Sequence, residues 1–236
     1  MSAKMLEVRD LSAGYGSTPI LQSMSFSVRR GEIAAIIGRN GVGKSTLMKC
    51  LIGLLPSWRG EIVFDGADIT REAANRRAER GIGYIPQGRE VFPRMTVAEN
   101  LLVGNLISAH KPQKLHDLVQ RYFPILEERR KQKAGTLSGG KQQQLAIGRA
   151  LVGNPDLILL DEPSEGIQPS IVQQIAENIK RLNAEIGITV LFVEQNIDVI
   201  MSMAQRCYVM DKGSIVDEVE PHRLSDAAVV RRFLAV

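Results

Sequence analysis

Residues 38–45 read GRNGVGKS, and no other stretch constrains the chain as tightly. They match G-x-x-x-x-G-K-[ST]. Before them runs a continuous apolar segment, EIAAIIG at 32–38, and after them a stretch that reads as a helix from about Lys44 to Gly53. A doubly buried strand, a glycine-rich loop and a helix N-terminus, in that order, make a cradle for phosphate. Gly38, Gly41 and Gly43 let the backbone through Arg39, Asn40 and Val42 curl with its N–H groups inward. Lys44 is expected to reach the β and γ phosphates. Ser45, followed by Thr46, is expected to meet Mg2+. A glycine-rich strand–helix turn without a ligand is the plainer alternative, and both spacing and flanks speak against it.

A magnesium nucleotide needs a carboxylate opposite the loop. DLILLDEP (156–163) is a second buried-strand pattern, and it ends on Asp161 and Glu162. Asp161 is expected to hold the metal and Glu162 to polarise the attacking water as general base, a role worth ~10²–10⁴-fold in rate. A pair of acids capping a helix is the alternative. Loop and acids together predict a P-loop nucleotide hydrolase.

Residues 137–143, LSGGKQQ, precede a helix-like stretch, QLAIGRALVGNP. Ser138, Gly139 and Gly140 at a helix start form a second phosphate-binding end. One chain with two such devices makes sense if two chains pair head to tail, each nucleotide lying between one chain's loop and the other's LSGG.

On these motifs the chain resembles the ATP-binding subunits of ABC transporters over nearly its whole length. The resemblance implies a RecA-like P-loop α/β core with a mostly parallel sheet, an N-terminal antiparallel β subdomain and an inserted helical subdomain, placed here at 88–153 within a single 1–236 domain. It implies ATP and Mg2+ as ligands. Tyr15, in AGYG, becomes the residue that stacks on adenine. Gln87, in GYIPQGRE, becomes the sensor of γ-phosphate and magnesium, its loop facing a membrane subunit through VFPRMTVAENL. The family ends the strand after Asp161 on a histidine that contacts the γ-phosphate, but VLFVEQNID (190–198) has Gln195 there. An amide can donate to phosphate but cannot carry charge or a proton. Lys141 stands where the family usually has glutamine, and Gln168 where aspartate is common.

VEQN with GRNGVGKST, PQGREVFPRMTVAENL and DEPSEGIQPS looks like the second ATPase subunit of the branched-chain amino acid and amide importers. PQGRE and SEGIQPS most resemble an ATP-binding subunit of the urea importers, so urea is the expected cargo, with branched-chain amino acids as the alternative. The expected partners are a second, different ATPase chain (a homodimer being the alternative), two membrane permease subunits and, indirectly, a periplasmic solute-binding protein. The expected place is the cytoplasmic face of the inner membrane.

The remaining sequence agrees. Its 236 residues, 44% hydrophobic, suit one large domain. A net charge of +4, with most basic residues matched by acids, implies no nucleic-acid partner. Two distant cysteines suggest neither disulfide nor metal cluster, and no apolar run nears the ~20 residues that span a bilayer. Residues 5–9 and 24–28 alternate as one-sided antiparallel strands, and EIVFDG (61–66) reads as a strand and turn. Helical spacing dominates from Asn75 to Arg130. Residues 169–186 form an amphipathic helix, DKGS (211–214) turns a hairpin, and SDAAVVRRFLAV at the end reads as a short helix. A translation or DNA-repair ATPase would carry two such domains or a long coiled coil. A nucleotide-dependent scaffold without hydrolysis fits Gln195 but not Glu162.

Overall fold

The computed structural model describes residues 3–107, 115–226 and 231. Two long strands, β1 (Lys4–Tyr15) and β2 (Thr18–Arg29), pair antiparallel and extend well beyond the alternating cores at 5–9 and 24–28. Then follow β3 (Ile33–Ile37), α1 (Lys44–Ile52), β4 (Arg59–Phe64), the two-residue β5 (Ala67–Asp68), α2 (Ala74–Arg80) and β6 (Ile82–Ile85). Helices α3 (Val97–Ile107), α4 (His116–Tyr122), α5 (Ile125–Glu128) and α6 (Gly139–Val152) occupy the stretch read as an insertion, together with a 3-10 turn at Ala134–Thr136 and a single bridge between Thr96 and Lys133. The chain returns through β7 (Leu157–Asp161), α7 (Pro169–Ile186), β8 (Thr189–Glu194), α8 (Ile197–Met203), β9 (Arg206–Asp211) and β10 (Ser214–Val219). The helix expected over 225–236 lies mostly outside the described residues.

Two sheets result. One is antiparallel, in the order β2-β1-β4-β5. The other runs β10-β9-β3-β8-β7-β6, parallel throughout except for the β9–β10 hairpin. This is the α/β architecture expected, with its antiparallel N-terminal part. Short β6 lies inside the stretch whose spacing reads as helical; it is the edge strand of the parallel sheet.

The continuous apolar runs have a direct cause. Ile33, Ala35 and Ile37 face one core with Ile158, Leu160, Val190 and Phe192, under α6 and α7. Ala34 and Ile36 face the other, with Leu157, Leu159, Leu191 and Val193, against α1 and the antiparallel sheet. Successive side chains point to opposite faces, so a strand covered on both sides has no position for a polar residue. The amphipathic α7 instead buries one stripe, Val172, Ile175, Ile179 and Leu182.

Helix α1 is anchored at its far end. Buried Arg77 donates to the carbonyls of Cys50 (2.7 Å) and Leu51 (2.9 Å), which satisfies unpaired groups at the negative helix end. The other end of α1 carries Lys44 and Ser45.

Candidate functional site

The parallel strands β6, β7, β8 and β3 end level with one another. Ile37 pairs with Glu194 and Asp161 with Val193. Everything that follows these strands therefore gathers at one edge, where ligands bind in open α/β sheets. The loop 38–43 follows β3, Glu162 follows β7, Gln195 follows β8, and Gln87 follows β6.

The loop has the curl its glycines predict. Gly41 (φ 79°) and Gly43 (φ 109°) take the left-handed backbone. The β9–β10 hairpin supports it from behind, with Gly213 N–H donating to Val42 O at 3.1 Å. The start of β2 lies against it too, since a Cβ on Gly43 would sit 3.0 Å from Ile20 Cγ2. Tyr15, the last residue of β1, is half exposed.

Lys44 is 4% exposed. Its Nζ donates to Gly38 O (2.9 Å) and Arg39 O (3.0 Å) and lies 3.5 Å from Glu162 Oε1. Burial pulls its pKa below the ordinary lysine value, and Glu162 opposes the shift. Thr46 is buried on the same turn. Ser45 Oγ donates to Asp161 Oδ1 at 3.0 Å, and Tyr84 OH to Asp161 Oδ2 at 3.4 Å. Desolvation raises the Asp161 carboxyl above its ordinary pKa, while the Ser45 bond works against the shift. A desolvated carboxylate sharing a hydroxyl is a hard oxygen pair of the kind magnesium takes, and the residues fit that ion.

Glu162 sits at φ 48°, in the left-handed region. Its N–H donates to Val193 O at 3.0 Å, which ties this strained residue to β8. Both carboxylate oxygens are held by amides. Gln195 Nε2 donates to Oε1 at 2.8 Å and Gln87 Nε2 to Oε2 at 3.2 Å. Gln195 Nε2 also lies 2.5 Å from Asn40 Oδ1. Gln87 makes a second bond, 3.0 Å to Glu165 Oε2, so its amide nitrogen faces Glu162 and Glu165 rather than the Ser45–Asp161 pair.

The LSGG stretch, 137–140, the family's signature turn, is built as a helix start. Ser138 caps α6 with extended backbone and no side-chain cap bond, so its hydroxyl is not spent on its own helix. Ser138, Gly139, Gly140, Lys141, Gly166, Ile167 and Gln168 line a cavity of about 490 Å³. The two departures from the family pattern, Lys141 and Gln168, thus line the same cavity.

Sequence reasoning missed two supports. Glu194 is buried and accepts the N–H groups of Gln195 (2.8 Å), Asn196 (3.1 Å) and Ser164 (3.3 Å), so one carboxylate fixes the turns that follow both β7 and β8. An acid closing a doubly buried apolar run was its only signal. Tyr84 gave none beyond its strand. Its phenol pKa is pushed up, first by burial and then by Asp161.

Strand-end loop, paired acids and amide-held carboxylate define the class: a P-loop nucleotide hydrolase. The sequence profile of the ABC transporter family matches residues 21–165, and the chain belongs to that family, whose ATP-binding cassettes are ATPases coupled to transport. It is 44% identical to the high-affinity branched-chain amino acid transport ATP-binding protein BraG of Pseudomonas aeruginosa, over 90% of this chain and 91% of that one. It is 34% identical to the probable branched-chain amino acid transport ATP-binding protein LivF of Archaeoglobus fulgidus, over 89% and 90%. An ATP-binding cassette of an ABC transporter solved in its ADP conformation superposes with a TM-score of 0.85 at 31% identity, covering 98% of both chains. The chain is accordingly a nucleotide-binding subunit of an ABC transporter. Among the described residues no helix is long and apolar enough to cross a membrane.

Proposed function

We propose that the chain hydrolyses ATP at this strand-end site to energise an importer of branched-chain amino acids. The observation that carries the chemistry is the convergence on Glu162 of two amide donors beside the Ser45–Asp161 pair. The loop N–H groups from Gly38 to Thr46 and the α1 N-terminus hold the β and γ phosphates, and Lys44 leaves its loop carbonyls to meet them. Ser45 and Asp161, with Gln87, would hold the magnesium ion, and the metal would supply neutralisation of charge on the phosphoryl oxygens. Glu162 accepts the proton of the attacking water. Gln195 and Gln87 hold its carboxylate in place, and Gln195 donates without titrating. Tyr15, at the end of β1, stacks on adenine.

Ser138, Gly139 and Gly140 serve the nucleotide of a partner ATPase chain. Two nucleotides bound from both sides close the pair, and loss of the γ-phosphate opens it, a ligand-driven population shift. The loop at Gln87 and helices α3–α6 pass that motion to two permease subunits at the cytoplasmic face of the membrane. A different ATPase chain as partner leaves the two sites asymmetric, this chain's own carrying Gln195. A solute-binding protein outside the membrane delivers the cargo.

The named relatives support branched-chain amino acids, the alternative of the sequence reading, over urea as cargo. Urea keeps the support of PQGRE and SEGIQPS alone. Uptake of labelled leucine and labelled urea by the native organism, with Glu162→Gln in this chain, separates the two. Loss of leucine uptake with urea uptake intact is expected; the reverse assigns urea, and no change in either removes the importer reading.

A further inference from the structure

PQGRE and SEGIQ, the two stretches that set this chain apart in sequence, touch. Gly88 (φ 81°), Arg89 (φ 72°) and Glu90 (φ 44°) are three consecutive residues in the left-handed region. For arginine and glutamate that backbone is strained and persists only where the surroundings over-determine it. The restraints are visible. Arg89 Nη2 donates to Glu165 O at 2.7 Å and to Gly166 O at 3.5 Å. Gln87 Nε2 donates to Glu165 Oε2 at 3.0 Å. On the other side, Arg149 Nη2 of α6 donates to Glu90 O at 2.9 Å while its guanidinium covers the Phe92 ring at 4.9 Å. The Arg89 guanidinium also packs on the start of α6, because a Cβ on Gly139 would lie 3.2 Å from its Nη1.

One planar side chain therefore joins three segments far apart in sequence: the loop 86–90, the loop 164–168 after the general base, and the signature turn 138–140. We propose that Arg89 is a positioning residue that makes these three segments move as one body. Through it, displacement of the Gln87 loop sets the signature turn that serves the partner's nucleotide and the turn that carries Glu162. A guanidinium suits this work because its fork of N–H donors is rigid and bonds backbone carbonyls that a point charge on a flexible stem holds poorly. The functional half of this inference rests on the reading of Ser138–Gly140 above; the mechanical half does not.

Two measurements on the whole chain test it, with Arg89→Ala and Arg89→Lys. The first is amide hydrogen exchange. Arg89→Ala is expected to raise exchange by tenfold or more in 164–168 and 138–142 as well as in 86–90, with Arg89→Lys intermediate. Faster exchange confined to 86–90 overturns the proposal, and because that readout uses no substrate it leaves the assigned function standing. The second is ATP hydrolysis in the assembled transporter. Arg89→Ala is expected to lower kcat about tenfold with KM for ATP within twofold, and Arg89→Lys to recover part of the loss. A rise in KM with kcat unchanged overturns the coupling role. If either variant melts more than a few degrees early, the other, still folded, carries both readouts.

Discussion

Gln195 Nε2 lies 2.8 Å from Glu162 Oε1 and 2.5 Å from Asn40 Oδ1, so one amide group spans the phosphate loop and the proposed general base. An amide has no ionisation between pH 5 and 8, whereas histidine titrates at ~6.5. The pH profile of kcat should therefore carry no step from residue 195. Gln195→His should introduce one near ~6.5. Gln195→Ala removes a hydrogen bond to a charged group, typically worth ~1.5–3 kcal/mol, so kcat should fall about ten- to hundredfold. Rates from pH 5.5 to 8.5 for the three proteins check both statements.

Asp161, the proposed metal ligand, is buried at a cost in stability. Its folded-state pKa is raised by burial, so between the ordinary carboxylate pKa and the raised one the folded chain keeps a proton that the unfolded chain has lost. That contribution to stability is fully present below the ordinary value and is lost as pH rises through the raised one. Asp161→Asn should thus raise the melting temperature of the metal-free chain at pH 7.5 and flatten its pH dependence across that window. Magnesium-dependent hydrolysis should fall by about 10²-fold or more, since charge neutralisation by a metal is worth several kcal/mol. Thermal melts in chelator across pH, with activity alongside, are the check.

The role proposed for Tyr15 is to bind the base and not the phosphates. Stacking of a base on an aromatic ring is worth ~1–3 kcal/mol, so Tyr15→Ala should weaken ATP binding by about five- to 150-fold. Tyr15→Phe should stay within about twofold. Affinity for inorganic triphosphate, which has no base, should be the same in all three proteins.

Phe192 is fully buried in β8, two residues before the carboxylate that fixes both catalytic turns. Phe192→Ala should cost about 3–5 kcal/mol of stability. In denaturant titrations the midpoint should shift down with little change in slope.

The placement of the phosphate loop and the two acids at the strand ends was legible because its rules are local. GRNGVGKS is a backbone conformation and a charge set in eight adjacent letters, and short runs such as LILL and VLFV between turn signals fit strands covered on both faces. Likewise Pro169 at a helix start and the apolar stripe through Leu182 placed α7 to the residue. What the letters hid is what depends on contacts between distant segments. Glu194 looks like any polar residue leaving a strand until its carboxylate is seen to collect N–H groups from two turns. The full lengths of β1 and β2 come from their pairing, with register shifts along β1 that break the alternation a sequence reader follows. Cargo is the least legible feature, because the residues proposed to contact nucleotide carry no information about a solute.

The most direct test of hydrolysis at this site is ATP turnover by Glu162→Gln, with nucleotide affinity measured in the same preparation. The expected result is kcat reduced by ~10²–10⁴-fold while ATP still binds, because the amide keeps the shape of the site but cannot accept the proton. Turnover equal to wild type would contradict the role given to Glu162, since the reaction would then not depend on the carboxylate that Gln87, Gln195 and Lys44 surround.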